Sequence, residues 1–306
     1  MISISTTWNY FEDCDLKAML SDIRQAGIRS IELGYNFTAS RLQEITPLLY
    51  DFGIEVVSVH NFCPLPPQGA LRRFFTNYYL LSSLAEKERE DAVKYTKQTI
   101  DTAAGLKAKV VVIHAGVIEF DAKYIKTLIN LYKLGKIDSE EADNLRKEII
   151  RIRDSKKQAY LDAVTKSLDE ITDYATKADI KIGLENRYYP DEIPSNGEIA
   201  LFLEKFNTRG LVYWHDVGHS LAQERLGMIK KNSLLESFGG YLFGLHLHGI
   251  KGLNDHRAPL SGDFDFSQIS QYLARADLLK VIEAHQPVSS NDIKEAIRYF
   301  AAKGWF

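Results

Sequence analysis

Residues 180–219 read IKIGLENRYYPDEIPSNGEIALFLEKFNTRGLVYWHDVGH. Two short apolar runs in this stretch each close on a carboxylate, IKIGLE on Glu185 and LVYWHD on Asp216. The same ending recurs outward in both directions. VVSVH closes on His60, VVVIH on His114 and LLKVIE on Glu283, while YLFGLHLH carries His246 and His248. An apolar run of this length reads as a buried strand. A polar, metal-competent residue at its last position then sits on the rim, not in the core. Six such endings in register predict parallel strands that aim ligands at a common point.

The predicted strands are residues 2–6, 30–34, 55–60, 109–114, 180–185, 211–216, 241–248 and 279–283. Amphipathic stretches with plausible caps lie between them. Asp15 precedes LKAMLSDIRQAG, which stops at Gly27. A second stretch runs from Ser40 to Gly53, with Pro47 expected to kink or interrupt it. Further helices are read at residues 88–104, 155–177 and 291–303. Strand–helix alternation implies parallel strands with right-handed crossovers. Eight repeats within a single domain spanning residues 1–306 fit a closed (β/α)8 TIM barrel. A doubly wound open sheet is the alternative, weakened because no Gly-rich phosphate fingerprint follows the first strand.

Two insertions follow strand C-termini, the face where barrels of this kind place their sites. Residues 64–87 contain the aromatic-rich LRRFFTNYYLL and read equally as a lid or as a helix packed on the rim. Residues 120–153 read as an extra helical pair, an embellishment or an oligomer contact.

Composition narrows the function classes. A net charge of −3 leaves no electrostatic footprint for nucleic acid, so a small-molecule substrate is the expected partner. Cys14 and Cys63 lie too far apart in sequence to imply a disulfide framework. Cys63 follows His60 by three residues and would reach a metal, although it reads first as a small loop residue. The N-terminus lacks the basic and apolar stretches of a signal peptide, and no run approaches the ~18 apolar residues of a membrane span. A cytoplasmic protein is the expectation.

Glu185, Asp216, His246 and Glu283 close the last four strands. Carboxylates with an imidazole form an oxygen and nitrogen donor set suited to Mn²⁺, Mg²⁺, Co²⁺ or Zn²⁺. Packed together without a cation, these carboxylates would repel one another. His60 and His114 end the neighbouring strands, His219 lies one helical turn after Asp216, and Asp255 and His256 follow the seventh strand. Each reads singly as a hydrogen-bond partner to a ligand, and together as one or two further metal sites. His215 faces away from Asp216 and reads as structural, whereas His248 shares the facing of His246.

The segments VVSVHNF, VVIHAG, GLENR, WHDVGH, GLHLHGIKG with DHRAPLSGDFDF, and VIEAH resemble the signature of the xylose isomerase-like barrel superfamily. Its members include sugar isomerases and epimerases and endonuclease IV. The resemblance spans nearly the whole chain, carried by the order and spacing of the motifs. It implies a metal on Glu185, Asp216, His246 and Glu283. In the epimerases the residues matching Glu185 and Glu283 also act as acid and base. In endonuclease IV those matching His60, His114, His219 and His256 complete a trinuclear zinc cluster. That family carries an Asp two residues before the last of these histidines, where this chain has Asn254 and then Asp255.

Two reactions follow. The first is a sugar or sugar-phosphate isomerase or epimerase, in which one metal favours an enediolate and Glu185 and Glu283 move the proton. Arg187 would steady an oxyanion, or equally form a rim salt bridge. Tyr188 and Tyr189 would wall the pocket or simply pack under the lid. The second is a metal-dependent phosphoester hydrolase with two or three Zn, acting on a small phosphodiester such as one in cobamides rather than on DNA. The extra histidines favour it, because enolisation needs only one metal, but the many sugar-active members of the superfamily make the isomerase or epimerase the expected activity and the hydrolase the alternative. A non-catalytic metal-binding barrel would leave so full a ligand set without purpose.

Overall fold

The computed structural model describes residues 2–67 and 78–305. Its strands are β1 (Ile2–Ser5), β2 (Ser30–Leu33), β3 (Glu55–His60), β4 (Val110–Ile113), β5 (Gly116–Val117), β6 (Lys181–Glu185), β7 (Glu192–Ile193), β8 (Leu211–Asp216), β9 (Leu242–Leu247), β10 (Gly249–Lys251), β11 (Asn254–Arg257) and β12 (Leu279–Ile282). Its helices are α1 (Leu16–Gln25), α2 (Ala39–Asp51), α3 (Glu86–Gly105), α4 (Lys123–Lys133), α5 (Glu140–Lys177), α6 (Asn196–Phe206), α7 (Val217–Arg225), α8 (Ser233–Phe238), α9 (Ser270–Leu273) and α10 (Ser290–Ala302). Eight strands close into a barrel in the order β1-β12-β9-β8-β6-β4-β3-β2, all parallel, as the alternating pattern predicts. Two small antiparallel pairs, β5 with β7 and β10 with β11, sit among the loops.

Successive residues of a strand point to opposite faces. The outward set, including Val111, Ile113, Ile182, Leu184, Tyr213, Leu245, Leu247 and Ile282, joins the large core under the helices. The inward set begins with Val110, Val112, Trp214 and Val281, which form an apolar plug. Trp214 dominates it and requires glycine opposite. A Cβ on Gly244 would lie 2.2 Å from the indole.

The structure corrects two expectations about helices. Pro47 does not interrupt α2, which runs through it. The side chain is exposed, so the carbonyl that Pro47 cannot satisfy reaches water. The second half of the 120–153 insertion is not a separate helix. It is the first half of α5, whose 38 residues contain no Gly or Pro to stop them. Together with α4 it encloses a cluster of its own, centred on Leu128, Leu131, Ala142, Ile149 and Leu226. Finally, the stretch expected as a lid or rim helix at 64–87 lies partly outside the described residues. Its described end, 78–85, is turns and bends leading into α3. Among the described residues no helix is long and apolar enough to cross a membrane.

Candidate metal centre

Continuing each inward row toward the C-terminal rim reaches the polar residues. Ser58 leads to His60, Val112 to His114, Gly183 to Glu185, Trp214 to Asp216, Gly244 to His246 and Val281 to Glu283, each by one pleat repeat. All the residues named as ligands from sequence come together here, in overlapping groups. His60, His114 and Glu185 form one; Glu185, Asp216, His246 and Glu283 a second; Asp216, His219 and His256 a third; and His256, Glu283 and His285 a fourth.

In the first group His114 Nε2 lies 2.6 Å and His60 Nε2 3.6 Å from Glu185 Oε2. In the second, His246 Nδ1 is 2.9 Å from Glu185 Oε1, 2.9 Å from Glu283 Oε2 and 3.8 Å from Asp216 Oδ2. In the third, His219 Nδ1 is 3.6 Å from Asp216 Oδ1, and His256 Nδ1 is 3.2 Å from Asp255 Oδ2. That same Asp255 oxygen is 4.0 Å from His219 Nε2. Asp255 thus stands at the third group, where Asn254 replaces the acid that the resemblance led us to expect.

The surroundings fix several rings. His60 Nδ1 faces the carbonyl of Asn61 and His219 Nδ1 that of Asn186, both at 3.0 Å. A nitrogen facing a carbonyl carries the proton, which leaves each Nε2 lone pair free. His248 is oriented in reverse. Its Nδ1 accepts the backbone N–H of His256 at 2.9 Å, so Nε2–H donates to Asp216 at 3.0 Å. Asp216 also caps α7, accepting from His219 N–H at 2.6 Å, so its position is determined twice. His256 itself adopts φ +51°, uncommon for a residue with a Cβ. Arg187 is buried; Nη2 donates to Glu192 and Nη1 to Glu185, each at 3.0 Å. It therefore makes a buried ion pair and steadies Glu185. Tyr188 donates to the carbonyl of Leu253 at 2.6 Å and lies against Tyr189. His215 faces outward, as expected, and its Nδ1 lies 2.7 Å from the Tyr213 hydroxyl.

Charge distribution sets the protonation. Burial opposes ionisation of Glu185, but His114 and His246 hold it well below the usual carboxylate range. Burial likewise opposes ionisation of Glu283, which His246 outweighs. Burial pulls His246 down, but Glu283, Glu32 and Glu185 raise it well above an ordinary imidazole. His114 goes the other way, to about 3, through burial and the adjacent Arg187 guanidinium. The Cys63 thiol is buried, pushed up to about 12, and belongs to no ligand group among the described residues.

Three participants carried no sequence prediction. Glu32 is fully buried and reaches His246 Nε2. It sits inside its run, followed by Leu33, so a rule based on run endings passes over it. Glu192 anchors Arg187 from a short strand between loops. His285 stacks on His256 with ring centroids 4.0 Å apart, and its buried Nε2 has no partner. Its position two residues after Glu283 was the available signal. Beside it opens a cavity of about 450 Å³, lined by Asn254, Asp255, His256, Arg257, His285 and Asp292 among others.

These residues fit divalent ions. His114 Nε2 and Glu185 Oε2 lie 2.6 Å apart, and both face the Arg187 guanidinium, at 2.5 and 3.0 Å. The case for a metal is the excess of buried carboxylate. Glu32, Glu185, Glu192, Asp216 and Glu283 are all buried here, against Arg187 as the one permanent cation in the cluster among the described residues.

A family profile described as xylose isomerase-like TIM barrel matches residues 20–303. The chain belongs to that family. Solved structures across the family's fold are similar over nearly their whole length. A D-tagatose 3-epimerase-like protein shares 16% identity, with 99% of this chain and 97% of that one covered at a TM-score of 0.67. The 3-keto-D-glucoside 4-epimerase YcjR from E. coli shares 15%, with 98% of each covered at 0.66. A D-psicose 3-epimerase from Clostridium cellulolyticum H10 shares 13%, with 99% and 98% covered at 0.67. Identities this low establish the shared fold alone. No curated protein sequence matches the chain.

Proposed function

We propose that this protein is a divalent-metal-dependent phosphoester hydrolase acting on a small substrate. One observation carries the reading: Glu185 and Asp216 each belong to two ligand groups at once. Carboxylates shared in this way are what adjacent ions need, and a one-metal enolisation leaves His60, His114 and His256 without a task. His60, His114 and Glu185 would hold one ion, Glu185, Asp216, His246 and Glu283 a second, and His219, His256 with Asp216 or Asp255 a third. Such ions neutralise phosphoryl oxygens and acidify water. The chain's own contribution is positional. Arg187, gripped by Glu192, holds Glu185; His248 holds Asp216; and the 450 Å³ cavity beside His256 receives the rest of the substrate. Arg257 lines that cavity with its guanidinium engaged, among the described residues, by Ser261, which suits an anionic substituent.

A second reading, a sugar or sugar-phosphate isomerase or epimerase, is supported by two things. Glu185 and Glu283 both approach His246 Nδ1 and flank the second group, as an acid and base pair would. Two of the solved structures named above are epimerases and the third is a D-tagatose 3-epimerase-like protein. Elemental analysis of purified protein separates the two. Two or three tightly held zinc ions per chain, with hydrolysis of bis(p-nitrophenyl) phosphate, are expected. One exchangeable manganese or magnesium ion, with solvent exchange of a ketose C–H proton, would overturn the hydrolase in favour of the epimerase.

A further inference from the structure

Glu32 belongs to none of the ligand groups, yet it is fully buried beneath them. Its oxygens lie 3.1 and 3.2 Å from His246 Nε2, and the Ser58 hydroxyl donates to Oε2 at 2.8 Å. Glu32 and Ser58 are register partners on β2 and β3, so two neighbouring strands hold this carboxylate from inside the barrel. His246 reaches it from β9.

The packing around His246 fixes the plane of its ring but not which nitrogen points where. Trp214 meets it edge-on with centroids 5.2 Å apart, and His60 lies nearly parallel at 6.0 Å. A half-turn about the Cβ–Cγ bond preserves that plane and exchanges Nδ1 with a carbon. Only a polar contact distinguishes the two orientations. We propose that Glu32 is the positioning residue of this metal centre: it accepts the Nε2–H of His246 and so keeps the Nδ1 lone pair aimed at Glu185, Asp216 and Glu283. The proposal rests on the metal reading above and is independent of which reaction the centre runs. Carboxylates behind ligating histidines commonly play this part.

The test compares the zinc affinity of wild-type, Glu32→Ala and Glu32→Gln proteins by chelator competition. Glu32→Ala is expected to weaken binding about 10- to 100-fold. Glu32→Gln is expected to stay within about threefold of wild type, because the amide oxygen accepts the same Nε2–H while its NH₂ donates to Ser58. Equal losses in both variants would show that Glu32 acts through its charge or as a ligand, and unchanged affinity in both would show that it does not act at all; either overturns the positioning role. A second readout covers an Ala variant that does not fold. In the zinc-loaded wild-type and Gln proteins, ¹⁵N-histidine NMR should show His246 protonated on Nε2 and slow to exchange; a proton on Nδ1 overturns the proposal. Wild-type protein that takes up no divalent ion sinks the metal reading itself. Tight binding with an indifferent Glu32→Ala variant sinks the positioning role alone.

Discussion

His215 and His246 occupy the two faces of one barrel wall, on adjacent strands, and their fates are opposite. His246 faces inward among Glu32, Glu185, Asp216 and Glu283, and its pKa is raised well above the ordinary imidazole value. His215 faces outward against Tyr213 and the apolar layer under the helices, and burial lowers it to about 4. Residue type is the same and both are buried. The pleat decides the difference, since a shift of one residue along a strand moves a side chain from the chemical face to the packing face. On the inward face itself a second division holds. An apolar plug around Trp214 lies one pleat repeat below the ligand ring. Within the barrel wall the candidate ligands therefore occupy a single layer, and the plug below it excludes water and holds position.

The largest disturbance to that layer is the loss of a shared ligand. Glu185→Gln should remove the ions of the first and second groups together, leaving about one of three, and lower phosphodiesterase activity more than ~100-fold. Elemental analysis beside the rate measurement checks this. Loss of a single ion would show that Glu185 is not shared. Next comes the pair His60→Ala and His114→Ala, which leaves the four-residue second group intact. One ion should be lost and hydrolysis should fall ~100-fold. If these variants keep their full metal content and hydrolysis, the first group is not a metal site.

Much of this architecture was legible in the sequence because inward and outward positions alternate at a fixed period. The endings at His60, His114, Glu185, Asp216, His246 and Glu283 identified both the barrel and the ring. What escaped notice lacked that signal. Glu32 is followed by another strand residue and so does not end its run. Glu192 and His285 lie in connections, where no period relates sequence to direction. Arg187 was balanced between an oxyanion contact and a salt bridge, because the deciding partner, Glu192, could not be placed from spacing. The insertion pattern divides α5 in two, whereas the lack of any Gly or Pro along it lets the helix run through. Asn254 in place of an acid looked like a gap in the third group, and only the backbone geometry of β11, with Asp255 Oδ2 3.2 Å from His256, brings a carboxylate there.

The outward face offers a quieter test. His215 has a folded pKa near 4 and an unfolded value of about 6.5. As pH falls, the unfolded chain takes up this proton first. The stabilisation is therefore complete above pH 6.5, declines between 6.5 and 4, and changes no further below that. Its size is on the order of 3 kcal/mol. His215→Asn keeps a hydrogen-bond partner for the Tyr213 hydroxyl but removes the titration. In metal-stripped protein, denaturant unfolding from pH 7 to pH 4 should give a wild-type curve steeper by about one proton than that of the variant. Parallel curves would mean that His215 is not buried as a neutral ring.

The smallest expected effect lies in the plug. Gly244→Ala puts a methyl group into the face of the Trp214 indole, where no movement of a flexible side-chain end can relieve the contact. Overpacking of this kind costs about 1–3 kcal/mol. Because Trp214 touches His246 edge-on, the same displacement should reach the ligand layer. The variant should therefore lose stability with its metal removed and, in addition, bind zinc more weakly than that loss of stability alone explains. If stability falls while zinc affinity is unchanged, plug and ring are mechanically independent, and the single chemical layer keeps its shape through its own hydrogen bonds rather than through the indole below it.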